Sequence, residues 1–321
     1  MADNSEISID PFSDILRFTN AETVVSGGFS AAGAWAIRFP APDKIKFFAL
    51  VKGNCWLRLD GREAPVRVGT GDVLLLTAQR GFVLAGSLTA PPVDAAGLFS
   101  GNGLKTAILG SGDDCVQIGG HVRLDPLNGG LLAEVLPPLI HVRAASPQAG
   151  ILTWLLDQLV RERAAGLPGS GVASAQLAQL MFVQILRAHI NSQGPLTAGW
   201  LRAVGDKRLA PALRLMHGNP GRTWRLEDLA GAAAMSRTTF ALHFKNMAGV
   251  PPLVYLTRWR MRLAQRALRE DNTPVAVLAG MLGYTSESAF SNAFKRATGK
   301  APRHYRSEAR ANATAVAPPS P

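Results

Sequence analysis

The last hundred residues of the chain repeat themselves, and this narrows the possible folds more than any other feature of the sequence. Shifted by 50 residues, Ser236, Phe240, Phe244, Lys245, Gly249, Pro252 and Tyr255 fall on Ser286, Phe290, Phe294, Lys295, Gly299, Pro302 and Tyr305. Just upstream the offset is 49, so that Leu229, Ala230 and Gly231 meet Leu278, Ala279 and Gly280. One residue is gained between two matched blocks, which places a turn there. In the second copy that turn holds Gly283, a residue suited to a left-handed helix end. Each copy thus reads as helix, short turn, helix. The first helix is expected over Leu226–Ala233 and Val275–Met281, with Glu227 and Asp228 favouring the earlier start. Ser236 and Ser286 stand where a hydroxyl caps the second helix. Phe240 and Phe244, like Phe290 and Phe294, lie four apart and face the preceding helix.

The opposite face of each second helix has a different character. At about 100° per residue it carries Thr238, Thr239, Leu242 and Lys245 in the first copy and Ser288, Ala289, Asn292 and Lys295 in the second. Small, polar and basic side chains are what a helix needs to enter a DNA major groove. Charge agrees. The 321 residues carry a net +11, yet residues 207–310 hold 18 Lys and Arg against 6 Asp and Glu, a net of +12, and the remainder 16 against 17, a net of −1. A basic excess confined to one third of a chain marks a polyanion-binding domain beside one with another task. Between the copies, Leu253–Arg269 sets Arg258, Arg260, Arg262, Arg266 and Arg269 among Trp259, Met261, Leu263 and Leu268. As one helix this segment spans roughly 25 Å. Such a rod can hold two recognition helices about one DNA turn, ~34 Å, apart. Some of its arginines are expected to cover core surface with their stems. A generic helical bundle explains neither the repeat nor the basic excess.

The first two thirds read differently. Residues 1–11 look like a loose leader without the basic and apolar regions of a signal peptide. From Ala34 to Leu109, six short segments alternate with glycine-rich turns: Ala34–Phe39, Ile45–Val51, Cys55–Asp60, Val73–Thr77, Phe82–Gly86 and Thr106–Gly110. They suit strands, and Asp60-Gly61 is a hairpin signal. Many short strands at this spacing predict an antiparallel sandwich or barrel. Two helical stretches follow, Ala149–Arg163 and Ala173–Ile190, with more apolar surface than one face needs. Burial against the strands accounts for most of it, and a homodimer interface is a second use. Ser192–Asp206, with Gly194-Pro195, marks a boundary, giving domains over 12–195 and 207–306. The Ala- and Pro-rich tail Ser307–Pro321 is expected to lack fixed structure. No stretch approaches the ~18–20 apolar residues that cross a bilayer, so the expected location is the cytoplasm and no membrane partner is implied. Cys55 and Cys115 are too few for a disulfide scaffold, and the sequence leaves open whether they form a redox switch.

At the residues of the repeat the chain resembles the AraC/XylS family of transcription regulators. The resemblance covers about residues 207–306 and is carried by Leu226–Phe244, by Gly249–Leu268, and by Leu278–Arg306 with its Gly283-Tyr284, Phe294-Lys295-Arg296, Gly299, Pro302 and Tyr305-Arg306. It implies a seven-helix DNA-binding domain with one recognition helix per copy, over about 236–246 and 286–296, set in successive major-groove segments. Double-stranded DNA and RNA polymerase are the implied partners. The residues expected at the DNA are Arg237, Thr238, Thr239, Leu242, Lys245, Glu287, Ser288, Ser291, Asn292, Lys295 and Arg296. Members of the family often place an arginine where Leu242 and Asn292 stand here. Leu242 offers only apolar contact, as with a thymine methyl, and Asn292 suits adenine, so the target sequence does not carry over.

The N-terminal part more weakly resembles the cupin-like barrels of some family members. The carrying residues are Gly69-Thr70-Gly71-Asp72-Val73, His121–Asp125 and Leu136–Arg143. The fold class implied is α+β: an N-terminal cupin-like antiparallel β-barrel followed by helices, then an all-α domain with two helix-turn-helix motifs. Such a barrel binds a small effector or dimerises, and Trp35, Trp56, Arg58 and Phe82 are candidates to line its pocket. A cupin metalloenzyme is the rival reading. It needs two His two apart on a strand and a Glu soon after, and between Ala34 and Leu109 there is no histidine. His121, His141 and His189 are scattered and read as structural. No catalytic residues, metal or cofactor are expected, because no nucleophile elbow, phosphate loop or dinucleotide fingerprint occurs.

Overall fold

The structure, a computed structural model, describes residues 10–62, 64–77, 79–99, 105–125, 129–192 and 198–316. The chain forms two units, Arg17–Thr197 and Ala198 onward, the second joined by the N-terminal segment through Leu16. Helix α1 (Pro11–Phe18) precedes strands β1 (Glu22–Ala31), β2 (Ala36–Phe39), β3 (Ile45–Lys52), β4 (Asn54–Leu59), β5 (Val66–Gly69), β6 (Val73–Leu76), β7 (Phe82–Ala85) and β8 (Val93–Asp94). Then come α2 (Ala95–Leu98), β9 (Lys105–Leu109), β10 (Cys115–Arg123), α3 (Gly130–Ala133), β11 (Leu139–Val142) and two long helices, α4 (Gly150–Ala165) and α5 (Ser170–Asn191).

All six segments expected as strands are strands. They build two sheets, one in the order β11-β6-β3-β10-β1-β9 and one in the order β5-β4-β7-β2-β8. Alternation along β4 turns Cys55, Leu57 and Leu59 inward and Trp56 and Arg58 outward. The inward residues of both sheets share one core, with Phe29, Phe48, Leu50 and Leu74 facing Ile37, Leu57, Phe82 and Leu84. The expected closed antiparallel barrel is not what forms. Two pairings, β1 with β9 and β2 with β8, are parallel. Among the described residues no edge strand of one sheet pairs with an edge of the other, so the unit is two open sheets face to face.

Strands β1 and β10 were not among the expected ones, although they pair over nine positions in the middle of the larger sheet. Each is interrupted by two glycines, Gly27-Gly28 and Gly119-Gly120, and glycine weakens a strand pattern. The backbones leave no room for anything larger: a Cβ on Gly28 would lie 2.1 Å from the Gln117 carbonyl oxygen, and one on Gly120 2.1 Å from that of Val24. A bulge between Val25 and Gly27 goes with this close approach.

Helix α5 packs against β1, β6 and β11, and α4 packs on α5. The Gln179 side chain fixes the first contact, accepting from Thr23 N and Thr23 Oγ1 at 2.9 Å each and donating to the Ala21 carbonyl at 2.9 Å. Burial against the sheet and α5 takes Leu152, Leu155, Leu156 and Leu159, yet Ile151, Trp154 and Leu180 stay exposed. No helix of the described residues is long and apolar enough to cross a membrane.

The glycine-rich corner before β6 is a polar lock. The buried Asp72 carboxylate accepts from Gly69 N at 3.0 Å and Ala144 N at 2.8 Å, with His141 Nε2 at 2.8 Å, tying the corner to the end of β11. Burial pushes this carboxyl up, but the two N–H groups and His141 more than offset it and hold it below its ordinary value. A folded-state value below the unfolded one, ~3.9, means a contribution fully present above that pH and lost as pH falls through the depressed value. Asp72→Asn should therefore cost about 1–3 kcal/mol at pH 7. The gap to wild type in thermal unfolding should narrow below about pH 4, and an equal gap at pH 3 and pH 7 would show that charge plays no part.

The second unit continues with α6 (Trp200–Gly205), α7 (Ala210–Gly218), α8 (Leu226–Ala232), α9 (Arg237–Ala248), α10 (Pro252–Glu270), α11 (Val275–Met281), α12 (Glu287–Thr298) and α13 (Pro302–Val316). The repeat is reproduced down to its rings. Phe240 and Phe244 stand 5.6 Å apart with Tyr255 edge-on to Phe244 at 5.5 Å, while Phe290 and Phe294 stand 5.8 Å apart with Tyr305 edge-on to Phe294 at 5.4 Å. All four phenylalanines are fully buried, each contributing about 1.5–3 kcal/mol.

Two sequence boundaries shift. Pro11 already belongs to α1, capped by Asp10 Oδ1 on Phe12 N at 3.1 Å, and residues 1–9 of the expected leader lie outside the described residues. Its Asp14 Oδ2 lies 3.4 Å from His217 Nδ1, and the segment through Leu16 clusters with the C-terminal unit. The expected structureless tail is helical through Val316, with 317–321 outside the described residues. Arg306 and Arg310 bond Thr273 O and Asn272 Oδ1, and the alanines at 309, 311, 313 and 315 favour helix. Gly194-Pro195 of the expected boundary also lies outside the described residues.

Candidate nucleic-acid interface

Each recognition helix is aimed by the helix before it and by its own cap. Ser236 Oγ accepts from Thr239 N at 3.2 Å at the start of α9, and Ser286 Oγ accepts from Ala289 N at 3.1 Å at the start of α12. Both helices end on a left-handed glycine, Gly249 with φ of 75° and Gly299 with φ of 78°. With the phenylalanines of α9 and α12 inward, the opposite faces are left to solvent. Arg237, Thr238, Thr239, Leu242 and Lys245 are exposed on α9, and Ser288, Asn292, Lys295 and Arg296 on α12. Glu287 and Ser291 are half-buried. Leu242 is 61% exposed, an apolar side chain open to solvent on this face.

Some of these residues have protein partners at the surface. Arg237 Nη1 meets Glu227 Oε1 at 2.9 Å, and the guanidinium holds the Glu227 carboxyl below its usual range. Glu287 Oε1 accepts from Arg303 Nη2 of α13 at 3.1 Å. Thr239 also receives the Ser236 hydroxyl at 2.8 Å, so its own hydroxyl is part of the cap.

Sequence reasoning missed the anchors that set the pose of the first motif. His243, on α9 itself, has Nε2 2.7 Å from Asp206 Oδ2, and the Arg208 guanidinium lies against the same ring at 3.0 Å. Asp206 meanwhile accepts from Arg208 N at 2.8 Å, just before α7. No signal exposed this, because the second copy has Ala293 at the matching position. Arg260 is the stem-burying arginine expected on α10. Its Nε and Nη2 donate to the Pro220 and Arg222 carbonyls at 2.6 and 2.8 Å, and its guanidinium lies 5.9 Å from the Tyr284 ring. The rod thereby links the loop before the first motif to the turn of the second.

In the N-terminal unit the four expected pocket residues do not converge. Phe82 lines a cavity between the sheets. Trp35 is buried edge-on to Phe29 at 5.0 Å, away from that cavity, while Trp56 and Arg58 point outward from β4. Cys55 and Cys115 are free and buried, and their mutual hydrogen bond, with burial, pushes the Cys55 thiol up. Among the described residues no three His, Cys, Asp or Glu side chains gather where a metal ion would bind. His141 is engaged by Asp72, and burial pushes both His121 and His189 below the ordinary imidazole value.

The cupin family matches residues 10–191 and the helix-turn-helix domain family residues 229–308. An AraC-like transcription regulator of Streptomyces lividans is 40% identical over 93% of this chain and 98% of its own length. The chain belongs to the AraC-like transcription regulators. It is a transcription regulator with a helix-turn-helix DNA-binding domain and a cupin domain before it. The transcriptional regulator AlkR of Acinetobacter baylyi is 29% identical over 86% of this chain and 92% of its own. Among solved structures, the DNA-binding domain of AdpA, a global transcriptional factor in complex with a target DNA, is 32% identical and covers 33% of this chain and 96% of that one, with a TM-score of 0.32.

Proposed function

We propose that the regulator reads a specific duplex sequence by setting α9 and α12 in successive major-groove segments. The observation that carries this is the pair of matched faces, capped alike, packed alike and left bare on the side away from the core. Thr238, Leu242, Ser288 and Asn292, with Glu287 at the helix start, read bases, while Arg237, Lys245, Lys295 and Arg296 meet phosphates; Thr239 and Ser291 flank the readout. The division is testable in the full chain by anisotropy on a set of single-base operator variants. Asn292→Ala should flatten the preference at one base pair by about 1–3 kcal/mol. Lys295→Ala should weaken every variant alike. If both substitutions lower all affinities equally, the division fails.

The same reading gives the cupin unit a regulatory task and no catalytic one: it takes a small effector and joins two copies, so that paired domains meet RNA polymerase and DNA together in the cytoplasm. Support for a homodimer is the apolar surface that α4 and α5 do not bury, Ile151, Trp154 at 57% exposed and Leu180. Light scattering of the full chain at tens of micromolar should give twice the chain mass. A monomer for wild type would remove the dimer, and Trp154→Glu should shift the equilibrium toward monomer.

A further inference from the structure

The cavity between the two sheets is about 530 Å³ in volume, and glycines form part of its floor. Gly27 of β1 and Gly119 of β10 are direct register partners, and both line it. Facing sheets normally fill the space between them with interleaved side chains, and two paired positions here contribute none. Phenylalanines form part of the other walls, beside Leu84, Pro40 and the buried Gln117. Phe39 stacks on Phe82 at 4.7 Å with 8° between the rings, Phe48 lies 6.1 Å from Phe82 at 12°, and Phe99 is 6.0 Å from Phe39. Near-parallel stacked rings leave only the outer face and the edges of the stack open, and another flat ring extends such a stack by offset stacking.

The lining is not wholly apolar. Lys46 belongs to it and is half-buried, and burial pushes its ammonium below the ordinary value. Among the described residues no carboxylate comes within 4 Å of that amine; Asp43, also lining and exposed, is near enough only to oppose the shift in part. Lys44 and Arg123 add to the positive potential on this side, felt by His121, the register partner of Lys46 across β3 and β10. A half-buried cation beside an aromatic stack, with surplus positive charge around it, is complementary to an apolar anion.

We infer that this cavity binds a flat aromatic molecule carrying one anionic group, its ring extending the stack of Phe39 and Phe82 and its anion on Lys46. The inference rests on the proposal that the cupin unit takes a small effector, and it names the chemical class of that effector. A volume of this size falls in the range of small-molecule sites and accommodates two fused rings.

The test uses the full chain and three probes of one shape in titration calorimetry: 2-naphthoate, 2-naphthalenemethanol and 2-naphthylmethylammonium. One equivalent of 2-naphthoate should bind at least about tenfold tighter than the alcohol or the ammonium. Lys46→Gln should reduce naphthoate affinity to that of the alcohol and leave the alcohol unchanged. Ala96→Trp, at an exposed lining position of α2, should weaken all three by obstruction, with thermal unfolding confirming that both variants fold. Equal affinities for the three probes, unaltered by Lys46→Gln, would overturn the anion assignment and leave the cavity a ligand site. No binding by any probe, or binding untouched by Ala96→Trp, would overturn the inference, while an effector of another shape would still be read by its own calorimetric titration of the full chain.

Discussion

Raising the salt concentration from about 50 to about 200 mM should weaken the regulator's binding to duplex DNA on the order of a hundredfold. The cations assigned to phosphate are Arg237, Lys245, Lys295 and Arg296, all exposed on the two recognition helices. Each phosphate contact releases condensed counterions and adds ~0.9 to the slope of log affinity against log salt, so four contacts give ~3.6, and a fourfold rise in salt gives roughly 150-fold. Arg237 is held by Glu227 at 2.9 Å, but both partners are exposed, at 65% and 57%. Such a surface pair is worth no more than ~1 kcal/mol and yields to a phosphate. Anisotropy across that salt range measures the slope directly. Replacing Lys245 and Lys295 together by Ala should lower it by ~1.8. A slope near zero in wild type would exclude phosphate contact by these helices. A slope unchanged in the double variant would move the contacts to other basic residues, with the exposed Arg258 of α10 the first to test.

Opposite stability changes are expected at the two equivalent turn positions of the repeat. The turns are built alike, with Met235 N donating to Ala230 O at 3.0 Å and Tyr284 N to Ala279 O at 2.9 Å. Both need a left-handed residue just before that donor: Gly283 has φ of 79° and Ala234 has φ of 51°. A Cβ at 283 would also lie 2.2 Å from the Gly221 carbonyl oxygen, in the loop that Arg260 holds in place. Gly283→Ala therefore combines the left-handed penalty of about 1–2 kcal/mol with a backbone clash, for a loss of about 2–4 kcal/mol in the C-terminal unit. Ala234→Gly relieves the same penalty at an exposed site and gives back part of it as unfolded-chain entropy, for a gain below ~1 kcal/mol. Hydrogen exchange of the α9 and α12 amides reads each motif separately in the intact chain. Unchanged protection of α12 in Gly283→Ala would show that the loop gives way freely, contrary to the Arg260 linkage.

The one-residue slip in the repeat is explained by the same turns. Ala230 and Ala279, Ala234 and Gly283, and Met235 and Tyr284 all keep the 49-residue offset, so the gained residue is Thr285, directly before the second cap at Ser286. The C-terminal unit was legible because its determinants are local. Caps, left-handed ends and apolar residues four apart act within a turn or two of helix, and they also leave the recognition faces readable by subtraction. The tail is decided by tertiary contacts instead: its helix continues where Arg306 and Arg310 find acceptors more than thirty residues earlier.

The N-terminal unit shows the limit of local signals. Apolar runs such as Val73–Leu76 mark buried strands, and the alternation along β4 sets Trp56 and Arg58 on its outer face. Pairing is a different matter, since β1 meets β10 some ninety residues along the chain, and neither shows a strand pattern through its two glycines. Those glycines have meaning only once the strands are paired. Gly28 and Gly120 are forced by backbone atoms that would lie 2.1 Å from a Cβ, and Gly27 with Gly119 forms part of the floor of a cavity. The sequence by itself determined the two helix-turn-helix motifs, their exposed faces and their charge, because helices draw on neighbours in the chain. Sheet order, the open edges, the anchors at His243 and Arg260 and the cavity beside Lys46 were decided only by the tertiary structure, because each depends on contacts whose partners are distant in sequence.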